Sequence, residues 1–246
     1  MTAPRSDVLA ASFSRAAAKY GEHARVQSAL ADWLADWLPA VRRGRALEIG
    51  AGPGVFTRRL LPWAGALTAT DISPAMCAAG RAALPQAEWQ VMAAESPAPG
   101  PWDWIFCSSM LQWAADPEKI FAAWRKVIAP GGRLLAGLFA AGSLPEWQAV
   151  RAGDSPVKWR TAGEWRACLA HCGLEVVRDE VQPRVFAHPS ALAFLRSVHG
   201  VGAAPQRRVP AGQLRRLLRD YQARFGGPGG VQATWMFYRL EAERGR

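Results

Sequence analysis

The chain has 246 residues, of which 50% are hydrophobic and 20% charged, and its formal net charge at pH 7 is +10. This length and hydrophobic content suffice for a full core and exclude a disordered chain, so we interpret residues 1–246 as one domain. No apolar run of about 18 residues occurs, and the N-terminus lacks the basic-then-apolar order of a secretory signal. The sequence therefore predicts a cytoplasmic protein with no membrane contact.

The N-terminal segment is predicted to be helical. Apolar residues recur at helical spacing from Val26 to Leu38, so an amphipathic helix should end at Pro39. Residues 1–40 are therefore expected to form N-terminal helices that precede the first strand.

A glycine turn follows the first predicted strand. The apolar run around Leu47 and Ile49 indicates the strand, and a helical pattern begins after the turn. Glycine permits a positive φ and leaves free the space that a Cβ would fill, so a ligand can approach closely. The three glycines are Gly50, Gly52 and Gly54. An ordinary tight turn between a strand and a helix is the alternative.

Two carboxylates near this turn favour a nucleotide-type cofactor. Asp71 ends the second predicted strand, seventeen residues after the last glycine, where a carboxylate can bind ribose hydroxyls. Glu48 lies two residues ahead of the first glycine, and the spacing is G-x-G-x-G rather than the G-x-G-x-x-G of dinucleotide sites. The pattern favours S-adenosylmethionine, which has no pyrophosphate to bind at a helix N-terminus.

Strands and helices alternate along the rest of the chain. Ser73 and Pro74 predict the start of a helix that continues to Ala83. Further helices and strands are predicted over residues 89–92, 104–107, 116–128, 133–139, 161–171, 174–177 and 231–240. Because strands separated by such helices require right-handed crossovers, we predict a Rossmann-like, doubly wound α/β fold. Its sheet should be mainly parallel and seven-stranded, with an antiparallel last strand.

A basic helical insertion is predicted before the last strand. Two helical patterns, at 190–199 and 211–225, follow one another, so residues 189–230 should form a lid over the ligand crevice. Residues 184–246 contain 11 arginines and 3 acidic residues, a net charge of +8. The densest cluster comprises Arg207, Arg208, Arg215, Arg216 and Arg219. Clustering of one sign indicates an acidic partner, and a solvated helix face is the alternative.

The four cysteines do not indicate a metal site. Cys77 and Cys107 fall within a predicted helix and strand, and Cys168 and Cys172 share one face of a predicted helix. A zinc site would need more ligands near the second pair, so we predict reduced thiols and no metal.

The chain resembles the class I S-adenosylmethionine-dependent methyltransferases through Leu47–Gly54, Asp71 and the Ala-Pro-Gly-Gly-Arg-Leu turn at 129–134. Within that class it is similar to BioC, the malonyl-acyl-carrier-protein O-methyltransferase family of biotin synthesis. Narrower motifs, spread over nearly the whole chain, carry this similarity. They include Ser-Arg-Ala-Ala-Ala-Lys-Tyr at 14–20, Glu-His-Ala at 22–24, Gln27, Leu-Gln-Trp at 111–113, Gly-Ser-Leu-Pro-Glu at 142–146 and Leu-Arg-Ser at 195–197.

The resemblance implies transfer of a methyl group from S-adenosylmethionine to the free carboxylate of malonyl-acyl-carrier protein. The residues that should bind the cofactor are Glu48, Gly50, Gly52, Gly54, Asp71, Ile72 and Glu95. Acyl carrier proteins are acidic, so the basic lid is expected to dock one. The docking residues should include Arg207, Arg208, Arg215 and Arg216.

A carboxylate acceptor is already ionised at neutral pH, so the site must align the reactants rather than supply a general base. We predict Tyr20 and Arg196 as catalytic residues, because a hydroxyl can hydrogen-bond the carboxylate and a guanidinium can hold it in bidentate geometry. Plain core packing of Tyr20 and an exposed lid position for Arg196 are the alternatives. The candidate substrate-binding residues are Arg15, Gln112, Trp113 and His199.

One departure from the family pattern affects the adenine side. Ala93 stands where the family usually has an aspartate that accepts a hydrogen bond from the adenine amino group, and its loss should weaken cofactor binding by about 0.5–1.5 kcal/mol. A small carboxylic acid such as trans-aconitate as acceptor, or a cofactor-binding pseudoenzyme, is therefore an alternative. An RNA methyltransferase is disfavoured, because residues 108–110 lack the Asn/Asp-Pro-Pro-aromatic motif, and no nucleic-acid partner is expected.

Overall fold

Three helices precede the first strand in the computed structural model, which describes residues 6–39, 44–151, 155, 157–203 and 210–245. The helices are α1 (Ser6–Ala16), α2 (Tyr20–His23) and α3 (Arg25–Ala35), and a 3-10 turn, Ala17–Lys19, joins the first two. The predicted periodicity is present in α3, which buries Val26, Leu30 and Leu34. This helix ends before the predicted Pro39 because residues 36–38 form turns.

The strands of the described chain form one sheet. They are β1 (Arg45–Ile49), β2 (Ala66–Asp71), β3 (Glu88–Val91), β4 (Trp102–Ser108), β5 (Ile128–Phe139), β6 (Glu175–His188), β7 (Gly226–Gly227) and β8 (Gly230–Glu243). Their order is β3-β2-β1-β4-β5-β8-β6, and β7 pairs with the start of β8. Neighbours among β1 to β5 are parallel, whereas β8 is antiparallel to β5 and β6. This confirms the predicted sheet, to which the structure adds the two-glycine strand β7.

Strand β6 is much longer than the predicted segment 174–177. It has 14 residues and pairs with β8 along its whole length. The middle of this strand is polar, so hydrophobic patterning does not predict it as a strand. Its polar side chains instead find partners on β8. Glu180 accepts hydrogen bonds from Arg239 of β8, and Asp179 accepts one from the Tyr238 hydroxyl at 2.9 Å.

Five helices lie between the strands, and α5 and α6 among them begin at the predicted positions. They are α4 (Thr57–Leu60), α5 (Pro74–Ala83), α6 (Pro117–Val127), α7 (Pro145–Val150) and α8 (Ala162–His171). The Ser73 side chain accepts a hydrogen bond from the Met76 amide at 3.2 Å, and the Asp116 side chain accepts one from the Lys119 amide at 3.0 Å. Such caps satisfy amides that the first helical turn leaves unpaired.

The predicted insertion contains two helices, α9 (Ala191–Gly200) and α10 (Ala211–Phe225). Phe194 of α9 stacks on Tyr221 of α10 with ring centroids 5.2 Å apart, and the Tyr221 hydroxyl donates to the Gln232 carbonyl at 2.6 Å. The two helices are therefore packed together and attached to β8. The predicted Arg207 and Arg208 lie outside the described residues.

All four cysteines are free, with Cys77 and Cys107 buried and Cys168 and Cys172 half-buried. The described residues contain no group of three or more His, Cys, Asp or Glu side chains placed to hold a metal ion. None of the described helices has both the length and the hydropathy needed to cross a membrane.

Candidate active site

A pocket opens at the carboxyl ends of β1, β2 and β4, the edge where doubly wound sheets bind ligands. It contains about 1060 Å³ of empty space, counted out to its open mouth. The N-terminal helical segment contributes Leu9, Phe13 and Tyr20 to the lining. None of the described residues of 189–230 lines the pocket, and the described part of its cover comes from the N-terminal helices.

Two of the three predicted glycines face this pocket. Gly50, Gly52 and Gly54 all have a positive φ, of 75°, 55° and 98°. Gly50 and Gly52 line the pocket, and a Cβ on Gly52 would meet no atom within 4 Å, so the space beside it is open to a ligand. A Cβ on Gly54 would instead lie 2.6 Å from Leu84, so Gly54 packs against the core, and it is not among the lining residues.

Asp71 lines the pocket at the end of β2, and the glycine turn holds it in place. Its Oδ2 atom accepts a hydrogen bond from the Gly52 amide at 2.9 Å, and its Oδ1 atom accepts one from the Ser73 amide at 2.9 Å. Burial raises the pKa of this carboxyl, and the two amides oppose that shift. The carboxyl is therefore held in a fixed orientation at the position predicted for the ribose acid.

Glu48 lies at the base of the pocket and is 1% exposed. The Thr57 hydroxyl donates to its Oε2 atom at 2.6 Å. Burial raises the pKa of Glu48 to about 8, with a smaller contribution from the charge of Asp71, while the Thr57 hydrogen bond acts in the opposite direction. Glu48 consequently keeps its proton at neutral pH in the absence of a ligand.

Tyr20 and Gln27 reach the pocket from the N-terminal helices. Burial, and then the charge of Asp71, raise the pKa of the Tyr20 hydroxyl, so this group is a hydrogen-bond donor at neutral pH. Gln27 is 8% exposed, and its buried Oε1 atom has no hydrogen-bond partner among the described residues. Gln27 is not among the predicted site residues, although its place in a family motif marks it as a candidate.

A buried oxygen without a hydrogen-bond partner beside a pocket indicates that a ligand supplies the donor, because burying an unpaired polar atom costs free energy. The charged amino group of S-adenosylmethionine is a donor of the required kind. The open space beside Gly52 and the oriented Asp71 carboxyl match the ribose end of the same molecule. These residues therefore fit the cofactor.

The side of the pocket towards β3, the neighbour of β2 in the sheet, is the side where the sequence predicts adenine. The predicted Ile72 and Glu95 line it, together with Met92 and Ala94. Ala93 is not part of the lining.

The loop after β4, residues 109–115, forms the opposite side of the pocket, and we call it the β4 loop. Trp113 lines the pocket and meets Phe13 edge-to-face, with ring centroids 5.9 Å apart. Gln112 points away from the lining; it is 4% exposed and donates from Nε2 to the Ser109 carbonyl at 2.8 Å. The structure therefore places the predicted Trp113 in the site and puts Gln112 beneath the loop.

Three predicted residues, Arg196, His199 and Arg15, are exposed and lie outside the pocket lining. Helix α9 buries the face that carries Ala191 and Phe194, so Arg196, two positions after Phe194, is turned to the other side. Desolvation of the ring by neighbouring groups lowers the pKa of His199, which therefore carries little charge at neutral pH.

Helix α9 supports the N-terminal cover rather than the pocket itself. The Ser12 hydroxyl of α1 donates to the Gly202 carbonyl at 3.0 Å. Gly200 lies against His23 of α2, where an added Cβ would be 2.1 Å from the ring. The insertion and the pocket cover are thus packed against each other.

Comparison with known proteins agrees with this geometry. A family model described as a methyltransferase domain matches residues 47–136. Geranyl diphosphate C-methyltransferase from Streptomyces coelicolor, solved with S-adenosyl-L-homocysteine, has the same fold at 13% identity, with a TM-score of 0.56 over 89% of this chain and 80% of that one. The protein is an S-adenosylmethionine-dependent O-methyltransferase of the Rossmann-like class.

Its curated relatives define the family more narrowly. The malonyl-[acyl-carrier protein] O-methyltransferase of Geobacter sulfurreducens is 30% identical over 91% of this chain and 93% of its own length. The enzyme of that name from Alcanivorax borkumensis is 30% identical over 96% of this chain and 86% of its own length. The chain belongs to this family of biotin synthesis, the BioC family.

Proposed function

We propose that this enzyme methylates the free carboxylate of malonyl-acyl-carrier protein in biotin synthesis. The observation that carries the proposal is the chemistry of the pocket lining. Among the described residues, no histidine, lysine or cysteine lines the pocket, Tyr20 and Glu48 hold their protons, and Asp71 is engaged by two amides. The remaining carboxylate of the lining, Glu95, follows β3 on the side proposed for adenine, so the acceptor side offers no base for a hydroxyl or amine, whereas a carboxylate acceptor needs none. The names of the relatives support the same acceptor.

The cofactor supplies an electrophilic methyl group, and the protein positions the acceptor. In this proposal the Tyr20 hydroxyl donates a hydrogen bond to one acceptor oxygen and leaves the other free to attack. Phe13 and Trp113 exclude water from that side of the pocket. Gln27, Asp71 and the glycine turn hold the cofactor. Orientation and loss of water can together supply several kcal/mol to such a reaction.

The proposed partner is an acidic acyl carrier protein, and the proposed docking surface is the exposed face of α10. Arg215, Arg216 and Arg219 lie on this helix and are exposed to solvent. A basic surface of this kind speeds the approach of an acidic protein. In the proposal residues 189–230 therefore act as a docking element beside the N-terminal cover, within a single domain of 1–246.

The deciding experiment has two stages. Calorimetry with S-adenosylhomocysteine should show binding at one site, and a methyl-transfer assay should then give a methyl ester on malonyl-acyl-carrier protein. Malonyl-coenzyme A and trans-aconitate are compared as acceptors, and RNA serves as a control. Binding without transfer to any acceptor would indicate a pseudoenzyme, and preference for free trans-aconitate would replace the carrier-bound acceptor.

A further inference from the structure

A buried arginine, Arg160, lies behind the β4 loop. No motif in the sequence identifies it as a site residue. It precedes α8 and is 5% exposed. In the described part of the chain no carboxylate lies within ion-pair distance of it. Its Nη1 atom donates to the Ala114 carbonyl at 3.1 Å, and its Nη2 atom donates to the Ala115 carbonyl at 3.2 Å.

This arrangement is unusual, because a buried charge is ordinarily paired with an opposite charge. Here two successive backbone carbonyls take that place, and the planar guanidinium matches them with two parallel donors. The Arg160 backbone is itself fixed, since its carbonyl accepts from the Ala141 amide at 2.8 Å. The guanidinium also lies 5.2 Å from the ring centroid of the fully buried Trp165.

The two carbonyls belong to the pocket wall. Ala114 and Ala115 line the pocket and directly follow Trp113. The other end of the loop is held by Gln112, whose amide donates to the Ser109 carbonyl at 2.8 Å. Arg160 and Gln112 therefore hold the two ends of the segment that carries Trp113.

The order of the strands in the sheet indicates which part of the ligand this pocket wall faces. The ribose acid Asp71 is on β2 and the side predicted for adenine is towards β3, so β4 lies on the other side of β1 from the nucleoside. We propose that Arg160 is a positioning residue for the methyl acceptor, which acts by fixing the end of the β4 loop and hence the wall formed by Trp113. The proposal rests on the proposed function for the identity of the acceptor, but not for the position of the loop.

The kinetic test compares Arg160→Met and Arg160→Lys with malonyl-acyl-carrier protein. Arg160→Met should lower kcat/KM for the acceptor by about 10- to 100-fold, while the dissociation constant for S-adenosylhomocysteine changes little. Arg160→Lys should recover part of this loss, because an ammonium group keeps the charge but lacks the planar pair of donors that matches the two carbonyls. Equal loss of acceptor and cofactor binding would overturn the proposal.

A second measurement is independent of the acceptor. Hydrogen exchange of Arg160→Met should show faster exchange of amides in 109–115, with unchanged exchange in β4 itself. Arg239→Met is the matched control: Arg239 is also buried, and its side chain contacts Trp33, Trp37 and Glu180, away from the pocket. It should reduce stability but spare the acceptor kinetics. If the wild type fails on every malonyl acceptor, the proposed function fails; unchanged loop exchange in Arg160→Met refutes the positioning role.

Discussion

Glu48 and Asp71 both lie at the base of the pocket, and burial raises the pKa of each carboxyl. In the unfolded chain Glu48 should release its proton near its ordinary pKa of 4.5, whereas the folded, cofactor-free protein holds that proton up to about pH 8. Unfolding thus releases a proton between these values. The free energy of unfolding should therefore fall as the pH rises through this window.

Glu48→Gln should remove this dependence, because the amide keeps the shape of the protonated acid and its oxygen can still accept from Thr57. The melting temperature of the cofactor-free wild type should drop between about pH 5 and pH 8 more than that of the variant. Glu175→Gln, at the exposed start of β6, is the control and should follow the wild type. Parallel curves for wild type and Glu48→Gln would contradict the prediction.

A substitution at Ala93 should increase the affinity for the cofactor. If the family's aspartate accepts from the adenine amino group, Ala93→Asp should tighten S-adenosylhomocysteine binding by about 0.5–1.5 kcal/mol, as measured by calorimetry. S-inosylhomocysteine, which lacks that amino group, is the control ligand. A similar gain with both ligands would mean that the new carboxylate acts by charge alone.

At the residue scale, the sequence predicts the positions of those side chains that the local backbone motif fixes. Gly52 and Asp71 occupy the pocket because the turn and the strand end fix them locally. Gln27 and Arg160 come from distant segments, and only the packing of those segments places Gln27 at the pocket and Arg160 behind the β4 loop. Arg196 fails to reach the pocket for the same reason, since the buried face of its helix could not be read from a motif.

At the scale of elements, the contact between α9 and the N-terminal helices determines how the pocket is covered. The predicted insertion holds the cover in place through Gly200 and Gly202, while α1 and α2 supply the lining. A change in this contact should therefore affect ligand binding from outside the pocket.

Gly200→Ala tests that contact. Alanine normally favours a helix over glycine by about 1 kcal/mol, but here the new Cβ would lie 2.1 Å from the His23 ring, so α2 must move. We expect faster hydrogen exchange in residues 12–23 and weaker S-adenosylhomocysteine binding. Gly212→Ala is the matched control, because a Cβ on this α10 residue meets no described residue within 4 Å. Identical behaviour of the two variants would exclude the coupling.

Hydrophobic patterning predicts the buried helices and strands well, but it predicts the polar strand β6 poorly. The starts of α5 and α6 follow from their caps, Ser73 and Asp116, which act locally. Most of β6 was missed because its charges are satisfied by partners on β8, and such pairing depends on the assembled sheet.

At the scale of the whole molecule, positive charge is concentrated in the last quarter of the sequence, which includes the insertion helix α10. Residues 184–246 carry 11 arginines against 3 acidic residues. Of these, Arg215, Arg216 and Arg219 form an exposed basic face on α10. This asymmetry gives the molecule a preferred orientation towards an acidic protein.

Reversing two of these charges should separate docking from chemistry. Arg215→Glu with Arg216→Glu should raise the KM for malonyl-acyl-carrier protein on the order of tenfold at low salt, and the difference should shrink as salt screens the surface. Cofactor affinity should hardly change. Malonyl-coenzyme A presents no protein surface, so an equal loss with this acceptor would rule out docking through α10.

The position of β8 has a consequence for how the chain folds. This strand lies between β5 and β6, although both precede it along the chain, and its pairing with β5 joins residues as distant as Arg133 and Glu243. Until β8 inserts, β5 and β6 each expose an unpaired edge, and contacts this distant in sequence form slowly. The folding intermediate most exposed to aggregation should therefore be the one that lacks β8, and a slow final phase should report its insertion.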